Sequence, residues 1–217
     1  MPHAALTVLL PLLFLAGGAH ATPAQPLGRT QALQALDAQP AQARREAAER
    51  LGEIGAMADA PALLRALRDA DAATRANAEQ ALWRIWGRSG DGQVDRLYRL
   101  GVAQMNHGKL RRGIATFSRI VRLKPDFAEG WNKRATLYYL AGEYRKSLAD
   151  CAEVLKRNPQ HFGALAGCGQ IYLRLEDYQR ALDYFRRALE LNPNLQGVRA
   201  DILVLEQLLE QQRRNMI

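Results

Sequence analysis

Three stretches decide the fold: SRIVRLKPDF at residues 118–127, AEVLKRNPQH at 152–161 and RRALELNPNL at 186–195. They end alike, with Pro125, Pro159 and Pro193 standing 34 residues apart. Proline lacks the amide hydrogen that a helix interior needs, and it pushes the residue before it out of the helical region. Each proline therefore stops a helix at the same point of a 34-residue unit. Counting back from the prolines gives units at 94–127, 128–161 and 162–195, without insertion or deletion. A fixed period of this size marks supersecondary units that bury their apolar faces only by stacking on one another.

Composition points the same way. The 217 residues are rich in Ala, Leu, Arg and Glu, and no segment shows strand-like alternation between turn signals. The expected class is all-α, an α-solenoid of helix-turn-helix repeats. Within each unit, bulky residues recur at the fourth position (Leu97, Trp131, Leu165) and small ones at the eighth (Gly101, Ala135, Gly169). A second small position holds Gly113, Ser147 and Ala181, and position 24 holds Phe117, Cys151 and Phe185. Gly108 and Gly142 supply the turn between helices in the first two units, and Glu176-Asp177 stands there in the third.

These positions and their spacing resemble the tetratricopeptide repeat family over residues 94–195. In that family, first-helix positions two, five, nine, twelve and thirteen line a concave groove. The resemblance therefore implies a groove made by Tyr98, Val102, Met105 and Asn106, by Asn132, Thr136 and Tyr139, and by Gln170, Leu173 and Arg174. Asp95, Glu129, Leu140, Gly163 and Ala166 fill the remaining places. It implies a protein or peptide partner, with the Asn132 and Gln170 amides able to pair with an extended backbone. The family's carboxylate clamp is not implied, because Tyr98, Val102, Ala166 and Gly167 stand where its lysines and asparagines would be. No cofactor is implied.

A second repeat precedes the array. Leu33-Gln34-Ala35-Leu36 and Leu64-Arg65-Ala66-Leu67 match at an offset of 31, which continues at Arg44 and Arg75, Ala47 and Ala78, Leu51 and Leu82, Ile54 and Ile85. Residues 29–88 resemble two HEAT-type repeats, the first diverging where Pro40 replaces the turn aspartate seen at Asp71. Residues 89–93 form a glycine-containing linker, read equally well as a hinge or as a tight corner. Trp83 and Trp86, just before it, are expected to seal the end of the HEAT-like core. Residues 196–217 form a C-terminal capping helix, with Val198, Ile202, Leu205, Leu208 and Leu209 on one face. A dimerisation helix is the alternative, and the oligomeric state stays open.

The first 21 residues carry an apolar run, Leu6–Leu15, and small residues at Ala19-His20-Ala21. They read as a signal peptide cleaved after Ala21, placing the product in the periplasm or outside the cell. Residues 22–28 would follow as a disordered lead. In an oxidising compartment, Cys151 and Cys168 could form a disulfide; two buried thiols are the other reading.

Catalytic motifs are absent from the sequence. His107 and His161 fall in predicted turns without a metal-binding partner at helical spacing, and no phosphate loop or nucleophile elbow is found. The expectation is a non-enzyme without a metal site. Residues 22–93 carry nine basic and nine acidic side chains, whereas residues 94–195 carry eighteen and ten, so the net charge of +8 belongs to the array. Arg111, Arg112, Arg119 and Arg122 form a basic patch on a second helix, the convex side in the resembled family. It could meet an anionic membrane or polymer surface, or it could be only a solvated face. Nucleic acid is not expected, since no aromatic stacking platform is interleaved with these charges.

Overall fold

The computed structural model describes residues 26–215, so the segment read as a signal peptide lies outside the described residues. Among the described residues every regular element is helical. Four α-helices and one short 3-10 turn (Met57–Asp59, between the second and third) form the N-terminal half: α1 (Arg29–Ala35), α2 (Ala41–Ile54), α3 (Ala60–Ala66) and α4 (Ala72–Trp86). Three antiparallel pairs follow, α5 (Gly92–Asn106) with α6 (Leu110–Leu123), α7 (Ala128–Leu140) with α8 (Tyr144–Arg157), and α9 (Phe162–Arg174) with α10 (Tyr178–Leu191). The last helix, α11 (Gln196–Asn215), packs on α10 through Ile202 and Leu205.

The expected small positions are small because rings occupy the space. A Cβ on Gly101 would lie 2.7 Å from the Phe117 ring, and one on Gly169 would lie 2.5 Å from Phe185. Phe117 and Phe185 are fully buried, so the aromatic at position 24 fills the gap left by the glycine at position eight of its own unit. Gly113 serves the joint between units, where Leu137 would stand 2.8 Å from an added Cβ.

The turns inside the units follow a stricter rule. Gly108 and Gly142 have φ of 67° and 75°, and Glu176, at the same place in the third unit, has φ of 60°. The left-handed region costs a non-glycine residue about 1–2 kcal/mol. Replacing Glu176 with glycine is therefore expected to stabilise the chain by about 1 kcal/mol. Urea denaturation should show a higher midpoint with an unchanged slope; an equal or lower midpoint would contradict it.

In the N-terminal half the 31-residue offset is structural as well as sequential. Arg44 donates to the Ala38 carbonyl at 3.0 Å, and Arg75, 31 residues on, donates to the Asp69 carbonyl at 2.9 Å. Asp71 caps α4 by accepting from the Thr74 amide at 2.8 Å and also takes a bidentate bond from Arg45. Leu27 and Gly28, assigned to the lead, are docked: Leu27 packs on the core and its carbonyl accepts from Arg50 at 2.9 Å.

The linker is a corner. Helix α5 starts at Gly92, inside the segment read as linker, because Asp91 caps it through the Gln93 and Val94 amides at 2.7 and 3.0 Å. Ser89 closes the bend on Asp95 with a 2.6 Å hydroxyl bond, and Arg88 reaches back to the Gly52 carbonyl at 2.9 Å.

That corner turns the N-terminal half back onto the edge of the array where the three proline loops lie. Phe162, from the third unit, is buried in the N-terminal core together with Ile85 and Trp86. Asn194, beside Pro193, donates to the Leu67 carbonyl at 2.8 Å and accepts from Arg75 at 3.0 Å, while Arg68 donates to the Glu190 carbonyl. Trp83 and Trp86 do seal a core, yet the surface they close against belongs to the array: both rings lie against His161 and Phe162.

Candidate functional site

The inner helices α5, α7 and α9 stand side by side and carry the groove positions. Several are already engaged. Asn132 is buried and its amide donates to Glu129 at 2.9 Å; Gln170 donates to Asp201 of α11 at 2.6 Å. Each amide thus has one partner within the chain, while both side chains also line the space between α7 and α9. Tyr98 turns inward, edge-on to Phe117 and Phe127 with centroids 5.9 and 5.7 Å away, and its hydroxyl donates to Glu129 at 3.4 Å. Burial, with the Glu129 charge beside it, pushes its phenol far up. Val102, Met105 and Leu173 are half-buried against the cores of their units.

What faces outward is a shorter strip. Thr136 is exposed, its hydroxyl bonded to the Asn132 carbonyl at 3.0 Å; Arg174 is exposed and donates to the Tyr139 hydroxyl at 3.0 Å; Asn106 is exposed farther along. Between α7 and α9 lies a largely apolar hollow of about 150 Å3, lined by Thr136, Tyr139, Cys151, Gly163, Gly167 and Gln170 among others. Cys151 and Cys168 are free buried thiols in this structure, without the disulfide read as one alternative, and Cys151 is bonded to the Ala164 carbonyl at 3.3 Å. The Cys168 thiol beside it, and burial, push the Cys151 thiol well above its ordinary range.

One end of this face is occupied from within the chain. The Trp83 indole sits where a Cβ on Gly163 would be, 2.3 Å from it, so glycine at that groove position is the counterpart of the tryptophan. Lys133 stands over the same indole at 5.6 Å. Beneath lies a buried polar knot that the sequence did not announce. Glu129 accepts from His161 Nε2 at 2.9 Å, from Lys133 at 2.9 Å and from Asn132. His161 Nδ1 accepts the Ala164 amide hydrogen at 3.1 Å, which leaves the ring proton on Nε2 and makes this histidine the cap of α9. Burial pushes the Glu129 carboxyl up, but the His161 bond and the Lys133 charge outweigh it and hold the group at about 2.

The four basic residues of the expected patch all lie on α6. Arg111 and Arg112 line a hollow of about 730 Å3 at the turn edge with Lys109 and Glu143; Arg119 and Arg122 lie farther along α6 and do not line it. All four are exposed, and none of their side chains has a hydrogen bond or ion pair among the described residues. Among those residues no three His, Cys, Asp or Glu side chains cluster as metal ligands would, and no helix is long and apolar enough to cross a membrane.

Comparison with known proteins places this geometry. Two tetratricopeptide repeat models match, at residues 98–160 and 164–195. A TPR repeat-containing protein of Rhizobium etli is 34% identical over 108 residues, 50% of this chain and 53% of its own length. The small glutamine-rich tetratricopeptide repeat-containing protein of Dictyostelium discoideum is 28% identical over 53% of this chain and 34% of its own. The chain thus spans about half the length of the first relative and a third of the second. Among solved structures, the first TPR of Spaghetti (RPAP3), bound to an HSP90 peptide, superposes with a TM-score of 0.54 at 21% identity, covering 55% of this chain and 96% of that one. The Sgt2 TPR domain of Aspergillus fumigatus gives 0.54 at 18%, covering 57% and 83%.

Proposed function

Because residues 98–160 and 164–195 are tetratricopeptide repeats, we propose that the chain is a protein-interaction module holding an extended peptide segment of a partner along its concave face. The signal-like segment at 1–21 supports placing it in the periplasm or outside the cell.

The observation that carries the reading is Gly167. A glycine inside a helix costs about 0.5–1 kcal/mol relative to alanine. Elsewhere in the array that cost has a packing reason, since a Cβ on Gly101, Gly113, Gly130, Gly163 or Gly169 would come within 2.8 Å of a side chain. A Cβ on Gly167 would meet nothing within 4 Å, and the residue opens onto the hollow between α7 and α9. Its missing side chain makes room on the groove for something from outside. A cavity of this size can hold a benzene-sized group, which suits one apolar side chain of a bound peptide. That the fold neighbour Spaghetti was solved with an HSP90 peptide supports the same class of partner.

Peptides selected from a displayed random-sequence library against the full chain test this. Gly167→Leu should fill the hollow and Thr136→Arg should block the strip, each weakening the selected peptides by about tenfold or more while the fold is kept. Unchanged affinity in both variants would remove the groove as the binding face.

A second reading rests on the exposed, unpaired Arg111, Arg112, Arg119 and Arg122: docking of the convex side on an anionic surface. Vesicles rich in anionic lipid should then bind at low salt and release the chain by about 0.5 M.

A further inference from the structure

Where the end of α4 meets α5 there is an open cleft of about 420 Å3, lined by Trp83, Arg84 and Arg88 from the N-terminal half and its corner and by Asp95, Tyr98 and Arg99 from α5. It shares no lining residue with the groove hollow. Its charge is one-sided, three guanidiniums and one carboxylate, and the three arginines are exposed. Among the described residues none of these four groups is in an ion pair. Asp95 accepts from the Ser89 amide and hydroxyl at 2.9 and 2.6 Å, and Arg88 is anchored on the Gly52 and Glu53 carbonyls. Arg84 reaches only the neutral Gln80 side chain, at 3.3 Å, and the Arg99 side chain has no hydrogen bond among the described residues. Gathering like charges in one recess works against the compact state. Two of the three cations come from the N-terminal half and its corner and the third from the array, so this recess exists only where the halves meet.

We propose that this cleft is a second binding site, separate from the groove hollow, for an acidic segment of a partner protein: an extended stretch with two or more Asp or Glu side chains. Each guanidinium is a planar fork that takes a carboxylate through two parallel bonds. Arg84 and Arg99 present such forks from the two sides of the cleft. Arg88 adds a third charge that its two carbonyl bonds hold in place. The aromatic residues of the lining argue against single-stranded nucleic acid, which needs open ring faces for its bases. Trp83 has Lys133 over its ring at 5.6 Å and is packed edge-on with Trp86, His161 and Phe162. Tyr98 is turned onto Phe117 and Phe127. Neither ring is free to stack on a base. A flat bilayer suits the exposed side of α6 better than a recess walled by two helices.

The test uses the full chain and fluorescein-labelled hexaglutamate, followed by anisotropy at about 0.05 M salt, where exposed charges are weakly screened. The peptide should bind and labelled hexaserine should not. Arg84→Gln combined with Arg99→Gln changes two exposed side chains, so helicity should be kept while hexaglutamate weakens by about tenfold or more. Asp95→Asn, which retains an oxygen for Ser89, should tighten it by about threefold, because the one carboxylate of the lining is gone. Arg111→Gln combined with Arg119→Gln on α6, and Gly167→Leu in the groove, should leave the affinity unchanged, which separates this site from both surfaces proposed above. If the α6 pair weakens the peptide as much as the cleft pair, or if the cleft pair has no effect, attraction is only general and the proposal is overturned. It is overturned too if free glutamate at equal carboxylate concentration displaces the peptide fully, since the site then takes single anions. Tighter binding of hexathymidylate or of anionic vesicles, lost in the cleft pair, would assign the cleft to nucleic acid or lipid instead.

Discussion

Replacing Phe162 with alanine is expected to destabilise the folded chain by about 3–5 kcal/mol. The ring is fully buried, and its burial differs from that of the other large core residues. Phe117 and Phe185 fill gaps within their own units, but Phe162 leaves its unit and packs with Ile85, Trp83 and Trp86 of the N-terminal half. Removing it takes an anchor from both halves at once. The expected consequence reaches beyond a lower midpoint. In the parent chain the halves should melt together, whereas in Phe162→Ala the N-terminal half, holding two of the three tryptophans, should lose its fluorescence signature before the array loses helicity. Coincident transitions by fluorescence and circular dichroism in the variant would show that the halves are not joined through this residue.

The second large effect is expected at Glu129. Its carboxylate is 1% exposed and is held by His161, Lys133 and Asn132. Replacement by alanine strands the Lys133 ammonium, the His161 Nε2–H and the Asn132 amide together, and breaking a buried pair in this way costs about 3–5 kcal/mol. The pH dependence has a definite sign. A carboxyl held at about 2 in the folded chain, against an ordinary 4.5, contributes stability that is fully present above 4.5 and is lost as pH falls through about 2. Its size is on the order of 3 kcal/mol. Comparing Glu129→Gln with the parent should show that the variant has lost much of this acid sensitivity; parallel stability curves between pH 5 and 2 would disprove the assignment.

Much of the array was legible because its constraints repeat. Small residues at 101, 135 and 169 and prolines at 125, 159 and 193 recur at the unit length, and the structure sets each where the period places it. The groove was legible only as a list of positions. Asn132 and Gln170 stand at groove places, yet their amides point to Glu129 and to Asp201, and no spacing rule announces which of two neighbouring polar groups will pair with the other. The docking of the N-terminal half was barely legible. Its bonds join residues far apart, Leu67 with Asn194 and Arg75 with Asn194, and repeat logic concerns only adjacent units. A trace did exist in the pairing of Gly163 with Trp83, but a glycine at one groove position has many readings until its neighbour is known.

A stacked array is ordinarily free to grow or shrink by a unit, since each repeat needs only its neighbours. Here the N-terminal half shares the lining of one cavity with Lys124 in the loop after the first unit, and it touches the start of the third through Phe162 and its end through Asn194. It acts as a gauge laid along the array. Adding or deleting one 34-residue repeat would move the far contacts by a full unit and break them, so this chain has given up the modular freedom of its repeats for a fixed length.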